Sequence, residues 1–319
     1  ISQWLPATII DAHLHCQFRQ NHENMFNPNA KYPGGMFSCF PWSEHREILR
    51  KIFGRRIRQK VVLLGFPFSE WEEENNKHLF SLVDIGTRFI PVLTMTAEKS
   101  ATRVEEMLDR GFSGIKMYPT RAQKSSSTRI IDVFLEEVLG VADKKSLPII
   151  LHLPQDIFAN LDELIFLAKK FKKISFVVAH MGNVYLYDKR FLEALQKISK
   201  VPNVLFDTAM VADPQVLAEA LAILGSQRII YGSDAPFSYI RGRFYNSGVG
   251  IRLQSQVRFN WVDPLEYQQY RQEAKDFKLM HIRIIMAIGE AMQLSATRNV
   301  EEAKNNIFCS NAQKHFQRR

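Results

Sequence analysis

The stretch IIDAHLHC, residues 9–16, places two imidazoles one residue apart behind an apolar run and an aspartate. On a β-strand alternate side chains share a face, so Asp11, His13 and His15 are expected to line up while Ala12 and Leu14 face the other way. That geometry suits a pair of metal ligands. An isolated H-x-H also arises by chance, so the rest of the chain has to decide. Further chemistry-bearing residues recur near the ends of other apolar runs: Lys116 in GIKMYP, His152 in LHLP, His180 in AHMG and Asp234 in YGSDAP. Imidazole and carboxylate ligands with an open coordination position suit zinc or a similar divalent ion.

Residues so far apart can meet at one ion only if the fold gathers their strand ends. Short apolar runs bounded by Gly, Pro or polar residues form a regular series: TIIDAHLH, KVVLLGFPF, RFIPVLTM, FSGIKMYP, LPIILHLP, ISFVVAHMG, NVLFDTAM and RIIYGSDAP. Between them the spacing predicts helices, clearest at Ile131, Phe134, Leu135, Val138 and Leu139, at Leu161, Leu164, Ile165 and Ala168, and at Val216, Leu217, Ala220, Leu221 and Leu224. Asp213 and Pro214 supply an N-cap and a first-turn proline for the last of these. Eight such units fit an α/β fold of the (β/α)8 TIM-barrel type, read as one domain over residues 1–319. The structural alternative is a doubly wound open sheet, but no G-x-G-x-x-G follows the first strand. Long loops follow strands one and eight, residues 16–44 and 236–263. They are rich in aromatics, Gly, Asn and Arg without helical period, and are expected beside the mouth as lids or specificity loops. Beyond them, residues 263–294 read as helix with a break, and NAQKHF as a short final helix.

The order and surroundings of these residues resemble the amidohydrolase superfamily. DAHLH, GIKMYP, LHLP, AHMG, YGSDAP and the closing NAQKHF are similar to its amidohydrolase-2 branch, the group of aminocarboxymuconate-semialdehyde decarboxylase-like barrels. The resemblance implies that His13, His15, His152 and Asp234 ligate one metal, with His180 close by to activate water or contact substrate. It implies Zn2+ or another divalent ion such as Mn2+, one per chain, or two if Lys116 carries a bridging carbamate. Lys116 could equally neutralise a substrate anion or pack near the mouth. Asp234 can both bind metal and accept a proton. Tyr118, Arg121 and Arg241 follow strand ends and are candidate substrate contacts, arginine forks being suited to carboxylates. His22, His45, His78, His281 and His315 lie in no strand-end motif and read as structural.

Bulk properties exclude several classes. Of the 319 residues 46% are hydrophobic and 24% charged, and no apolar run reaches bilayer length. Cys16, Cys39 and Cys309 are too scattered for a disulfide framework, which fits a reducing compartment. Trp4, Pro6 and Asp11 interrupt any leader-like apolar stretch, so a cytoplasmic location is expected. The net charge of +9 comes from modest clusters such as AKKFKKIS and FGRRIRQK without interleaved aromatics, so a solvated surface is expected rather than nucleic-acid binding. The expected partners are a small-molecule substrate and at most a second copy of this chain in a homodimer, with no nucleic acid and no membrane. The function expected is metal-dependent hydrolysis of a small, anionic lactone, amide or ester. Nonoxidative decarboxylation of an unsaturated or aromatic carboxylic acid is the first alternative, and a non-catalytic binding barrel the second.

Overall fold

Each of the eight apolar runs becomes a strand, all running the same way. β1 (Thr8–His15) pairs in parallel with β2 (Arg58–Leu64), and β2 with β3 (Phe89–Pro91). β4 (Leu93–Thr96) resumes after Val92 and pairs with β5 (Ile115–Tyr118). The ladder continues through β6 (Pro148–Leu151), β7 (Ser175–Val178) and β8 (Val204–Asp207) to β9 (Ile229–Ile230). These relations belong to a computed structural model that describes residues 3–16, 40–65, 72–83, 86, 88–96, 100–118, 127–258 and 262–317.

Backbone hydrogen bonds close the ring. Val92 N–H donates to the Leu63 carbonyl and Leu93 N–H to the Gly114 carbonyl, each at 3.0 Å, so residues 89–96 serve as one strand shared by two ladders. At the other seam Ala12 N–H donates to Tyr231 (2.9 Å), Asp234 N–H to His13 (2.7 Å) and His15 N–H to Ala235 (2.7 Å), joining the last strand to the first. The fold is a parallel (β/α)8 barrel.

Strand alternation separates two apolar layers. Ile10, Ala12, Val62, Leu64, Ile150, Val177, Leu205 and Ile230 fill one cluster, with Ala312 and Phe316 of the final helix (Asn311–Phe316). Ile9, Val61, Leu63, Ile149, Phe176, Val204 and Ile229 join a second cluster with helix residues such as Leu164, Leu195 and Leu217. Burial on both faces is what a helix-covered parallel sheet requires. Helix Ile157–Lys170 starts at Asp156, whose side chain accepts from Ala159 N–H, and ends on Lys169 and Lys170, cations suited to its negative end. Helix Pro214–Leu224 starts as expected, with Asp213 accepting from Gln215 N–H.

Three expectations change. Alternation in β1 breaks, because its register against β2 shifts between Asp11 and Leu14. Leu14 therefore packs with Ile9 rather than with Ala12, and Asp11 does not share the histidines' partners. The helix expected through Ile131–Leu139 is two, Ile130–Val133 and Glu136–Lys144, interrupted where Phe134 turns extended. The loop after the last strand is ordered as an antiparallel hairpin, β10 (Gly242–Asn246) with β11 (Ile251–Ser255). Its Phe244 and Leu253 pack against a small separate core of Met210, Ile240, Val262, Tyr270, Phe277 and Met280. Residues 17–39 of the first long loop lie outside the described residues, and residues 42–44 of it already belong to helix Trp42–Phe53. Among the described residues no helix is long and apolar enough to cross a membrane.

Candidate metal centre

The last residues of β1 carry the first two donors. His13 and His15 are buried with ring centroids 5.3 Å apart, and their Nε2 atoms lie 3.4 and 3.3 Å from Asp234 Oδ1. Ligand atoms of these three residues all fall within 4.8 Å of one another, a cluster that could hold a metal ion. The loop after β9 brings Asp234 in through a left-handed backbone (φ 61°), and His180 after β7 is left-handed too (φ 56°). Non-glycine residues keep such conformations only when their surroundings enforce them, which is common at functional sites.

Hydrogen bonds on the far side of each ring fix where the protons are. His13 Nδ1 lies 2.8 Å from Asp207 Oδ2, and Asp207 Oδ1 accepts the N–H groups of His180 (2.8 Å) and Ala209 (3.0 Å). His15 Nδ1 lies 2.8 Å from the Gly65 carbonyl, which can only accept. Both rings thus carry hydrogen on Nδ1 and turn a bare Nε2 toward Asp234. Three acceptors converge, and Lys116 Nζ stands against the first of them at 2.6 Å, an arrangement that a cation satisfies. Burial, then the Lys116 charge, holds both histidines below the ordinary imidazole range, and so neutral. For Asp234 burial pushes upward, yet the carboxyl is held below its ordinary range, and so ionised, with the Lys116 ammonium among the groups that favour the charge. Neutral imidazoles beside a carboxylate are the protonation states a divalent ion needs.

Lys116 reaches inward from β5, fully buried, with Nζ 2.6 Å from His13 Nε2 and 5.1 Å from the Tyr118 ring centre. Burial lowers its pKa to about 8 against the pull of Asp234 and Asp207. His180 turns Nδ1 to the Ala209 carbonyl (3.0 Å), and its ring lies 5.0 Å from both His13 and His152. His152 follows β6, one ring beyond His180 and 6.1 Å from Tyr118. The structure therefore gathers His13, His15 and Asp234 tightly, with Lys116 and His180 against them and His152 and Tyr118 in the next layer. Arg121 lies outside the described residues. Arg241 is exposed, and its guanidinium donates to the Phe277 carbonyl at 3.0 Å.

Sequence reasoning passed over Asp207 and Tyr185, which support the cluster together with Asp11, His45 and Gly232. Asp207 ends β8 as the other site residues end their strands, and that position was the available signal. Asp11 accepts the Ser233 N–H (2.9 Å) and hydroxyl (2.5 Å), tying β1 to the Asp234 loop. Burial raises its carboxyl to about 7 despite those donors. His45 contacts the His15 carbonyl and Tyr185 faces His180 at 6.0 Å. Gly232 leaves room for His13: a Cβ there would stand 2.7 Å from the His13 Cβ.

The sequence model described as amidohydrolase matches residues 70–243, more than half of the chain. The chain belongs to the amidohydrolase family. This amidohydrolase also resembles solved structures across nearly its whole length. One is an amidohydrolase from Burkholderia multivorans with bound zinc, 12% identical, covering 97% of this chain and 99% of that one at TM-score 0.59. A second is 5-carboxyvanillate decarboxylase from Novosphingobium aromaticivorans with bound manganese and a nitrobenzoic acid, 14% identical over 99% and 97% of the two chains at TM-score 0.60. A third is a putative 2-pyrone-4,6-dicarboxylic acid hydrolase from Pseudomonas putida, 14% identical over 98% of each chain at TM-score 0.53. No curated protein matches. At these identities the likeness establishes a shared barrel, and this amidohydrolase belongs to a family of enzymes.

Proposed function

We propose that this amidohydrolase is a divalent-metal-dependent hydrolase of a small anionic molecule with an electrophilic carbonyl, such as a lactone, amide or ester. The observation that supports this reading is the convergence of His13 Nε2, His15 Nε2 and Asp234 Oδ1 at the strand ends, with Lys116 Nζ against the first. The three acceptors fit a divalent ion and would hold it, while His152 stands one ring beyond His180. Zinc or manganese is the expected ion, the metals in the Burkholderia and Novosphingobium structures. When bound, such an ion supplies Lewis acidity to water or to a carbonyl oxygen.

The protein's own groups do the rest. Asp234, held ionised, accepts the proton from the attacking water and can return it to the leaving group. Lys116 meets negative charge, on the substrate or developing at its carbonyl oxygen, inside a buried site where one cation counts heavily. His180, fixed by the Ala209 carbonyl and the Asp207 bond to its N–H, orients the substrate. Tyr118 stays a neutral hydroxyl, because burial drives its pKa up.

Decarboxylation of an aromatic or unsaturated acid is the second reading. The ring walls of Tyr118, Tyr185 and Phe237 around the histidines favour it, and related barrels bear that activity in their names. It requires a proton donor to carbon, whereas Asp234 is held as a base, and that weighs for hydrolysis. Turnover of a panel of lactones, amides and unsaturated carboxylates in ¹⁸O-labelled water, with trapping of released gas, separates the two. Label in the product carboxylate is expected; stoichiometric carbon dioxide without label overturns hydrolysis.

A further inference from the structure

His45 is completely buried on helix Trp42–Phe53, outside the metal cluster, yet it touches the backbone of a cluster residue. Its Nε2 lies 2.9 Å from the His15 carbonyl and its Nδ1 lies 3.0 Å from the Tyr239 hydroxyl. A carbonyl only accepts, so Nε2 carries the hydrogen toward His15, with Nδ1 at the Tyr239 hydroxyl, and the Phe40 backbone also bonds to the ring. The rings of Phe40 (4.6 Å) and Tyr239 (5.7 Å) flank it, and Trp42 stacks at 6.3 Å.

The two contacts close a loop around the cluster. Tyr239 ends the short turn Phe237–Tyr239 that follows Asp234, and Ser238 N–H in that turn donates to the Asp234 carbonyl at 3.3 Å. On the other flank of the same residue, His15 N–H donates to the Ala235 carbonyl at 2.7 Å. His15 is therefore tied to the Asp234 loop twice, directly through its N–H and through His45 and Tyr239 at its carbonyl. The peptide after His15 is also held by Cys16 N–H, which donates to the Leu64 carbonyl at 3.0 Å, and the ring by the Gly65 carbonyl at 2.8 Å. The tie through His45 and Tyr239 adds a hold on the His15 carbonyl that comes from the Asp234 loop, and so couples the spacing of His15 and Asp234.

We propose that His45 is a positioning residue, a latch that with Tyr239 sets the spacing of His15 and Asp234 for a divalent ion. The inference rests on the metal-site reading above. A side chain that orients a ligand without touching the ion still controls affinity, because misaligned donors must be reorganised on binding.

The test uses the full chain stripped of metal and titrated with zinc alone against a chromophoric chelator. His45→Leu removes both contacts, Tyr239→Phe removes one oxygen, and His45→Gln keeps an N–H at the reach of Nε2. The expected result is a zinc Kd raised about tenfold in His45→Leu, a smaller rise in Tyr239→Phe, and recovery of most of the affinity in His45→Gln. A merely structural role lowers the Tm of the variants and leaves their zinc Kd in place. If His13→Ala loses zinc while Tyr239→Phe and the folded His45 variants stay within about twofold of the unaltered chain, the latch is overturned and the metal site stands. If the unaltered chain and His13→Ala bind zinc equally, the metal-site reading falls, and the latch with it.

Discussion

Asp207 Oδ2 lies 2.8 Å from His13 Nδ1, and the other oxygen of the same carboxylate receives the His180 N–H at 2.8 Å. One buried group thus sets the tautomer of the first histidine and the placement of the second. Asp207→Asn keeps the shape but can turn an N–H toward Nδ1, which favours the tautomer with hydrogen on Nε2. The expected outcome is a divalent-metal affinity lower by roughly 10- to 100-fold with the barrel intact. Zinc titration beside far-UV circular dichroism checks it, and unchanged affinity would show that Asp207 does not govern the ring.

Lys116 offers a choice between a free ammonium and a metal-bridging carbamate. Its Nζ lies 2.6 Å from His13 Nε2, close enough for either species to meet an ion held by that histidine. We expect one divalent ion per chain, a free amine, and a Lys116→Met variant that keeps its ion but takes up anionic substrates more weakly. Elemental analysis together with ¹³C NMR of protein exposed to labelled bicarbonate reads both quantities. Two ions per chain, halved in Lys116→Met, would establish the carbamate instead.

The strand-end residues were legible in the sequence because each sits where an apolar run stops: His13 and His15 after IID, Asp234 in GSDAP. Barrel geometry turns such positions into neighbours without any local signal being needed. Asp207 shares that position, but its role appears only when β8 is placed beside β1 and the His13 ring. Nor could spacing show the shift in β1 that turns the Asp11 carboxylate to Ser233 and to the His13 backbone N–H rather than into the ligand cluster, since alternation assumes a regular strand. The break at Phe134 carries no Gly or Pro, so the helical spacing of Ile131, Leu135 and Val138 runs on through it in the sequence. The hairpin Gly242–Ser255 is held by contacts distant in sequence, such as Phe244 stacked on Tyr185 at 4.4 Å and Arg243 paired with Glu273 at 2.8 Å.

His281 gives a pH signature independent of the metal. It lies buried between the Tyr231 hydroxyl (2.8 Å) and the Ser238 hydroxyl (3.3 Å), and burial lowers its pKa from 6.5 to about 3. Between those values the unfolded chain binds a proton that the folded chain refuses. Stability is therefore fully present above pH 6.5 and is lost as pH falls toward 3, by at most about 4–5 kcal/mol for this group. His281→Gln keeps a donor and an acceptor but cannot titrate, so urea unfolding of the metal-free protein from pH 7 to pH 4 should show a slope smaller by about one proton. His315, lowered to about 4 by burial, contributes to the slope that remains. An identical slope in the variant would mean that the ring is not held neutral.

Arg241 tests whether a cation near a strand end serves the substrate or the scaffold. Its side chain donates to the Phe277 carbonyl at 3.0 Å and its backbone bridges to Leu279, so it fastens the start of the hairpin to the segment leading into helix Met280–Leu294. The guanidinium is exposed and bonded to the scaffold, whereas the cluster is buried. Arg241→Ala should then cost about 1 kcal/mol of stability, the worth of one such hydrogen bond. It should also change KM equally for a charged substrate and its neutral analogue. Lys116→Met, by contrast, should raise KM for the charged substrate selectively, since its ammonium lies against the cluster. Steady-state kinetics on the matched pair of substrates reads both variants, and a selective KM rise in Arg241→Ala would place that arginine on the substrate instead.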